Sequence, residues 1–289
     1  MLIKTHTFLA ITTVFLSLVA GAIAQDNKEQ KESVKLSADE IVNRHLASIG
    51  SAQAISAVKS RVMVGVGSLA AKSAVIKKIG GPAQFASQGS SLLLAMMFNA
   101  TDYPYEKIGF DGKDLTNGII LGNVTSLGAF LRSNKALLKN GFFGGVLSTD
   151  WALLQPDKSL RLESVGTGKI DGKSVYKVKA SAPGVGDLSI TLYFDSETFR
   201  HIRSEYYFRT GQLLSPSPAA TVQIISSAPT EFTVTEDFSN FTKVDDLVLP
   251  LLYTITYEAQ GVDRTRIWTI NFTQIYNNQA LDASAFHVS

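Results

Sequence analysis

The stretch GDLSITLYFD, residues 186–195, decides the fold. Leu188, Ile190, Leu192 and Phe194 fall on one side of a two-residue repeat, with Ser189, Thr191 and Tyr193 on the other. That alternation marks a strand with one buried face. The next segment, RHIRSEYYFR (200–209), sets Ile202, Tyr206 and Phe208 opposite His201, Arg203 and Glu205. LYTITYEA (252–259) and RIWTINFTQIY (266–276) alternate likewise, the latter with Trp268, Ile270 and Phe272 on one side.

Upstream, RVMVGVGSL (61–69) separates Val62, Val64 and Val66 from Met63, Gly65 and Gly67, and its glycines leave room for a bulge or a close neighbour. KSAVIKKIGG, AQFASQG and SLLLAMMF (72–98) read as successive strands. Asp111-Gly112 and Asp171-Gly172 have the chemistry of tight hairpins. A meander of this size curls towards a barrel, because twist and edge exposure both penalise a flat sheet. An outer-membrane barrel, whose strands need an apolar outward band with aromatic girdles, is set aside, since these strands carry many charges on their polar face and a helical insert interrupts them. LLSPSPAA (213–220) reads as an exposed loop.

Two helical regions interrupt this pattern. SADEIVNRHLASIGS (37–51) has Ser37 as N-cap, Glu40 completing a capping box, Ile41, Leu46 and Ile49 as an apolar stripe, and Gly50 as its stop. The second is an insert over about 122–154. There Leu127, Phe130, Leu131, Leu137 and Leu138 recur at helical spacing, Gly141 ends the helix, and Phe142, Phe143, Gly144, Gly145, Val146, Leu147 and Trp151 follow. Each large side chain is worth roughly 1.5–3 kcal/mol when buried, so the insert must dock on the sheet. It either forms plain core at the open end of the half-barrel or acts as a movable cover, with Gly141, Gly144 and Gly145 as its hinge.

At the N-terminus, Lys4 precedes the apolar run FLAITTVFLSLVAGAIA, and Ala22 and Ala24 have the A-x-A spacing of a cleavage site. The expectation is a signal peptide over 1–24, a charged tether over 25–36 and one domain over 37–289; a membrane anchor is the rival reading of the run. Cleavage would take one Lys and no acid from 27 bases and 25 acids, leaving a charge near zero. A chain so balanced lacks the basic patch that nucleic acid requires. With no Cys, disulfides and thiolate chemistry are excluded. His45, His201 and His287 show no metal-binding spacing, and no G-x-S-x-G elbow is present. GTGK (166–169) lacks full phosphate-loop spacing and reads as part of a hairpin. Glu236 and Asp237 are adjacent and, on a strand, face opposite sides. No catalytic residue, metal site or cofactor is expected.

Several segments together resemble the LolA/LolB-like superfamily, the bacterial outer-membrane lipoprotein-sorting proteins and their periplasmic carriers. They are residues 37–60 leading into the first strand, YPYEKIGFDGKDL (103–115), the insert, YFDSETFRHIRSEY (193–206), EDFSNFTKVDDLVLPLLYTI (236–255) and NNQALDASAFHV (277–288). The resemblance implies an α+β, mainly β fold: a curved antiparallel sheet forming an incomplete β-barrel, with helices covering the concave face above an apolar cavity for acyl chains. Arg61 lies near the region of the family's functional arginine, and that role is not carried over to it.

The expected protein is a non-enzymatic periplasmic or secreted binder or carrier of lipid or lipoprotein acyl chains, with envelope transport proteins as further partners. It has no membrane span once the signal peptide is removed. Met96, Phe98, Leu192, Phe194, Tyr206 and Phe208 are the expected walls, and Phe130, Leu131, Leu138, Phe142 and Phe143 the cover. The alternatives are an envelope interaction or assembly module with a filled interior, and a hydrolase on the same scaffold.

Overall fold

The computed structural model describes residues 36–71, 78–155, 159–210, 230–260 and 265–289. The expected signal peptide, nearly all of the tether and the 213–220 loop lie outside them. Helix α1 (Ala38–Ile49) begins where Ser37 Oγ accepts the Glu40 N–H at 3.2 Å and stops where the Gly50 N–H donates to Leu46 O. It buries Ile41, Val42, His45 and Ile49. A short α2 (Ala52–Ala57) follows.

The sheet is built from two meanders. The first comprises β1 (Ser60–Ala71), β2 (Ile79–Gln88), β3 (Ser91–Met97), β4 (Tyr105–Asp111) and β5 (Leu115–Asn117). A minor hairpin of β6 (Ile119–Ile120) and β7 (Asn123–Val124) leads into the insert, which carries α3 (Ser126–Ser133) and α4 (Ala136–Lys139). The second meander comprises β8 (Arg161–Ile170), β9 (Lys173–Ser181), β10 (Ser189–Asp195), β11 (His201–Thr210), β12 (Thr230–Val244), β13 (Leu247–Ala259) and β14 (Arg266–Asn277). Antiparallel pairing of β1 with β14 joins the two into one 12-stranded sheet that runs open from β5 to β8.

Side-chain alternation sorts the two faces. The inner face collects Ile190, Leu192 and Phe194 from β10 and Phe232, Val234 and Phe238 from β12, and α1 and the insert lie against it. On the outer face the C-terminal segment lays Phe286 against Ala86 and Leu93. A Cβ on Gly109 would come within 2.3 Å of Phe286 O, so only glycine lets that segment lie so close.

Turn and bulge chemistry agree with the sequence at three places. Asp171 and Gly172 both take positive φ in the β8–β9 hairpin, closed by the Ile170–Lys173 pair. The register of β1 on β14 shifts between Val64 and Gly65, where a Cβ would meet Asn271 O at 2.0 Å. Gly166 of the GTGK segment sits at a bulge in β8.

Two local expectations are corrected. Residues 79–88 form one strand rather than parts of two, with Pro82 inside it; residues 72–77 lie outside the described residues. Pro82 lies one position beyond the first β2–β3 pair, Ala83 with Met96, so that side of the strand does not need its missing N–H. In β11 the pairing passes from Tyr193–Arg203 to Phe194–His201. The extra residue rotates His201 onto the inner face with Tyr206, where it is fully buried, instead of opposite it.

Candidate functional site

The insert is shaped by its own backbone chemistry before it meets the sheet. Thr125 Oγ1 caps α3 by accepting the Gly128 N–H at 3.0 Å. Leu127, Phe130 and Leu131 then face inward. After α4, Gly141 turns the chain at φ 72°, and the Phe142 N–H returns to Leu137 O at 2.8 Å. Gly144 and Gly145 continue with positive φ and rest on two aromatic rings: a Cβ would stand 2.8 Å from Phe85 Cζ at Gly144 and 2.7 Å from Phe238 Cζ at Gly145. Glycine is therefore required there by both backbone angle and space.

Three charged side chains at inward strand positions fasten the insert to the sheet. The buried Arg61 guanidinium of β1 donates to Val146 O at 2.7 Å and Leu147 O at 3.2 Å, while its Nε donates to Asn277 Oδ1 at 3.1 Å. Glu236 of β12 accepts the Gly144 N–H at 2.7 Å and the hydroxyls of Tyr206 and Tyr253. Glu106 of β4 accepts the Thr125 hydroxyl at 2.6 Å and the Tyr103 hydroxyl. Burial dominates the ionisation of all three. It lowers Arg61 to about 10, so the guanidinium stays charged at neutral pH, and raises Glu106 and Glu236 each to about 7.

Trp151 anchors the far end of the insert. Its ring lies 5.0 Å from His45 of α1 and 4.8 Å from His201 of β11, and His201 in turn lies 4.9 Å from Phe238. Burial lowers His45 to about 4 and His201 well below the ordinary histidine value, so both are neutral packing groups at physiological pH. Ser204 Oγ sits 3.2 Å from His201 Nε2, but both side chains are fully buried, so no substrate reaches the pair in this arrangement. Among the described residues no group of three or more metal-ligating side chains converges.

The eleven residues expected as walls and cover occupy the packed interior. Met96, Phe98, Phe130, Leu131, Leu138, Phe142, Phe143, Leu192, Phe194 and Tyr206 are all buried members of one cluster, and the half-buried Phe208 packs against it. Wall and cover meet at Phe130, whose ring lies 6.1 Å from Tyr206 and 5.6 Å from Phe208. Phe98 lies instead beside Tyr103. The inner face under the insert is thus filled by the insert's own side chains.

Open space lies at the rim. A cleft of about 700 Å³ opens between the end of α1, α2, the β2–β3 turn at Gly89 and residues 149–155, with Leu46, Ile55, Val58 and Leu154 among its lining. Behind it is a pocket of about 20 Å³ that shares Ile55, Val58, Thr149 and Leu154 and reaches Arg61 and Val146. None of the eleven residues borders either space.

Arg61, Glu106 and Glu236 were not among the expected site residues, yet the sequence carries their signal. Each is a single charge in a row of inward apolar positions: Arg61 before Met63, Glu106 before Ile108 and Phe110, Glu236 between Val234 and Phe238. A charge at such a position is buried and must find partners.

No family model matches the chain, and no curated protein matches it. It is similar in backbone arrangement to a DUF1329 family protein from Desulfovibrio piger, at 11% identity over 86% of this chain and 97% of that one, with a TM-score of 0.47. It is also similar to a LolA superfamily protein from Nitrosomonas europaea, at 14% identity over 88% of this chain and 98% of that one, with a TM-score of 0.46. Likeness at this level leaves the site to be read from the chain's own residues. Among those described, no helix is long and apolar enough to cross a membrane.

Proposed function

We propose that the protein is a non-enzymatic binder or carrier of lipid or acyl groups in the bacterial periplasm or outside the cell, with the insert as its movable cover. The observation that carries this reading is the way the insert is held. The insert's apolar side chains fill an aromatic-walled trough, and its glycine-rich stretch is tied down by polar clamps at Arg61 and Glu236. A plain core segment has no need of buried charges, which cost free energy to desolvate.

Magnitudes set what a ligand must offer. Lifting Phe142, Phe143, Leu147 and Trp151 from the trough costs roughly 1.5–3 kcal/mol per side chain. An acyl chain replacing them returns about 0.8 kcal/mol per methylene. A chain on the order of ten methylenes therefore offsets the displacement, and much shorter ones leave the cover shut. The test is native mass spectrometry of protein purified from a bacterial envelope, with titration of delipidated protein by fatty acyl probes of increasing length. Co-purified lipid, or affinity that rises with chain length, is expected; empty protein indifferent to every probe overturns the reading.

The filled trough favours a second reading, an envelope interaction or assembly module whose insert never leaves the sheet. Under it, a protein partner co-purifies and acyl probes do not bind.

A further inference from the structure

We infer that the rim cleft is a binding site for a single-chain anionic amphiphile, a fatty carboxylate or its like, whose head is held by Lys59 and whose tail runs inward towards the Arg61 clamp. This rests on the acyl-binding reading above and assigns it a place and a ligand class.

The cleft's size, about 700 Å³, falls within the range of roughly 300–1,000 Å³ that holds one small ligand. Its floor and inner wall come from Leu46, Ile55, Val58 and Leu154, which suit a hydrocarbon tail. The rest of the lining is small or uncharged, from residues such as Ser51, Ser56, Thr149 and Gln155. Among the described residues Lys59 is the sole charge in the lining; it is exposed, and its ammonium makes no ion pair with any of them. A cation above an apolar floor, with no acid among the described lining residues, complements an anionic head and repels a cationic one.

The direction of the tail follows from the pocket behind. Ile55, Val58, Thr149 and Leu154 border both spaces, and the inner one reaches Arg61 and Val146, two partners of a clamp that holds the insert. A tail pushed past Leu154 arrives where Arg61 grips Val146 O and Leu147 O. The cleft is thereby the doorway through which an acyl chain meets the latch.

The experiment titrates delipidated full-length protein with dodecanoate and with dodecyltrimethylammonium, which share a tail length and differ in head charge. The variants are Lys59→Glu and Ser56→Trp, both at exposed positions, with circular dichroism confirming that each is folded. Dodecanoate is expected to bind at least tenfold more tightly than the cation. Lys59→Glu should reverse that preference, and Ser56→Trp should weaken dodecanoate at least tenfold by filling the cleft. Dodecanoate affinity indifferent to both substitutions places the tail elsewhere and overturns the assignment, while acyl binding itself stands. Failure of both amphiphiles to bind removes the assignment together with the reading beneath it.

Discussion

The backbone N–H of Gly144 donates to the carboxylate of Glu236 across 2.7 Å, joining residues 92 positions apart in sequence at the centre of the sheet's inner face. Gly144 sits at φ 87° with Phe85 directly beneath it. Gly144→Ala is expected to destabilise the chain by about 2–4 kcal/mol, since positive φ and ring contact penalise it together. Gly166 also has positive φ but nothing within 4 Å of a Cβ, so Gly166→Ala should cost only about 1 kcal/mol. Urea midpoints of the two variants check the ordering; equal losses would show that the insert does not sit tightly on Phe85.

Removing Arg61 leaves two buried carbonyls, of Val146 and Leu147, without their donor. Arg61→Met should lower stability by about 1–3 kcal/mol, and the loss should be local. Hydrogen exchange is the measurement: amides of 141–155 are expected to lose protection while those of β9 and β10 keep theirs. Uniform loss across the chain contradicts a clamp confined to the insert.

Protonation should bear on the same contacts. Glu106 and Glu236 each rise to about 7 on burial, from 4.5. The folded chain then holds more protons than the unfolded one between those values. Stability is therefore lost as pH rises through that window, by roughly 3 kcal/mol per carboxylate. His45, lowered to about 4 by burial, works in the opposite sense: its contribution is lost as pH falls from 6.5. The two slopes oppose one another over the acidic range they share. Glu236→Gln removes one acidic slope, so its urea midpoint relative to the parent should be higher at pH 8 than at pH 5. The same difference at both pH values would show that folding does not raise the Glu236 carboxyl above its unfolded value.

The chain has two tryptophans, and both are buried. Trp268→Phe leaves Trp151, set between His45 and His201, as the sole indole reporting on the insert. Binding of a long acyl chain should shift its emission to the red as the insert lifts. An emission maximum unmoved at saturating ligand argues for a cover that stays shut.

Much of the scaffold was legible because it rests on local rules. The alternation in GDLSITLYFD, the Ser37 cap and the Asp171-Gly172 turn depend on neighbours close in sequence, and all three appear as read. What sequence spacing missed depends on contacts far along the chain. The residue that rotates His201 inward is surplus only relative to β10, and Pro82 is tolerated only because β3 ends beside it. The clamps were partly legible, since a charge among inward apolar positions announces burial. Their partners were not, because nothing local in Glu236 points to Gly144. The burial of Phe194 and Tyr206 follows from alternation and that of Phe130 from helical spacing, whereas the rim cleft arises from α2 meeting residues 149–155 and has no periodic signature.

The sheet's failure to meet itself has a mechanical result. A cylinder has a girth fixed by its ladder, whereas a strip with loose ends at β5 and β8 takes its width from whatever is wedged between its jaws. Here the wedge is the chain's own insert. An open strip of this kind can change its curvature without breaking a single rung, as a closed cylinder cannot.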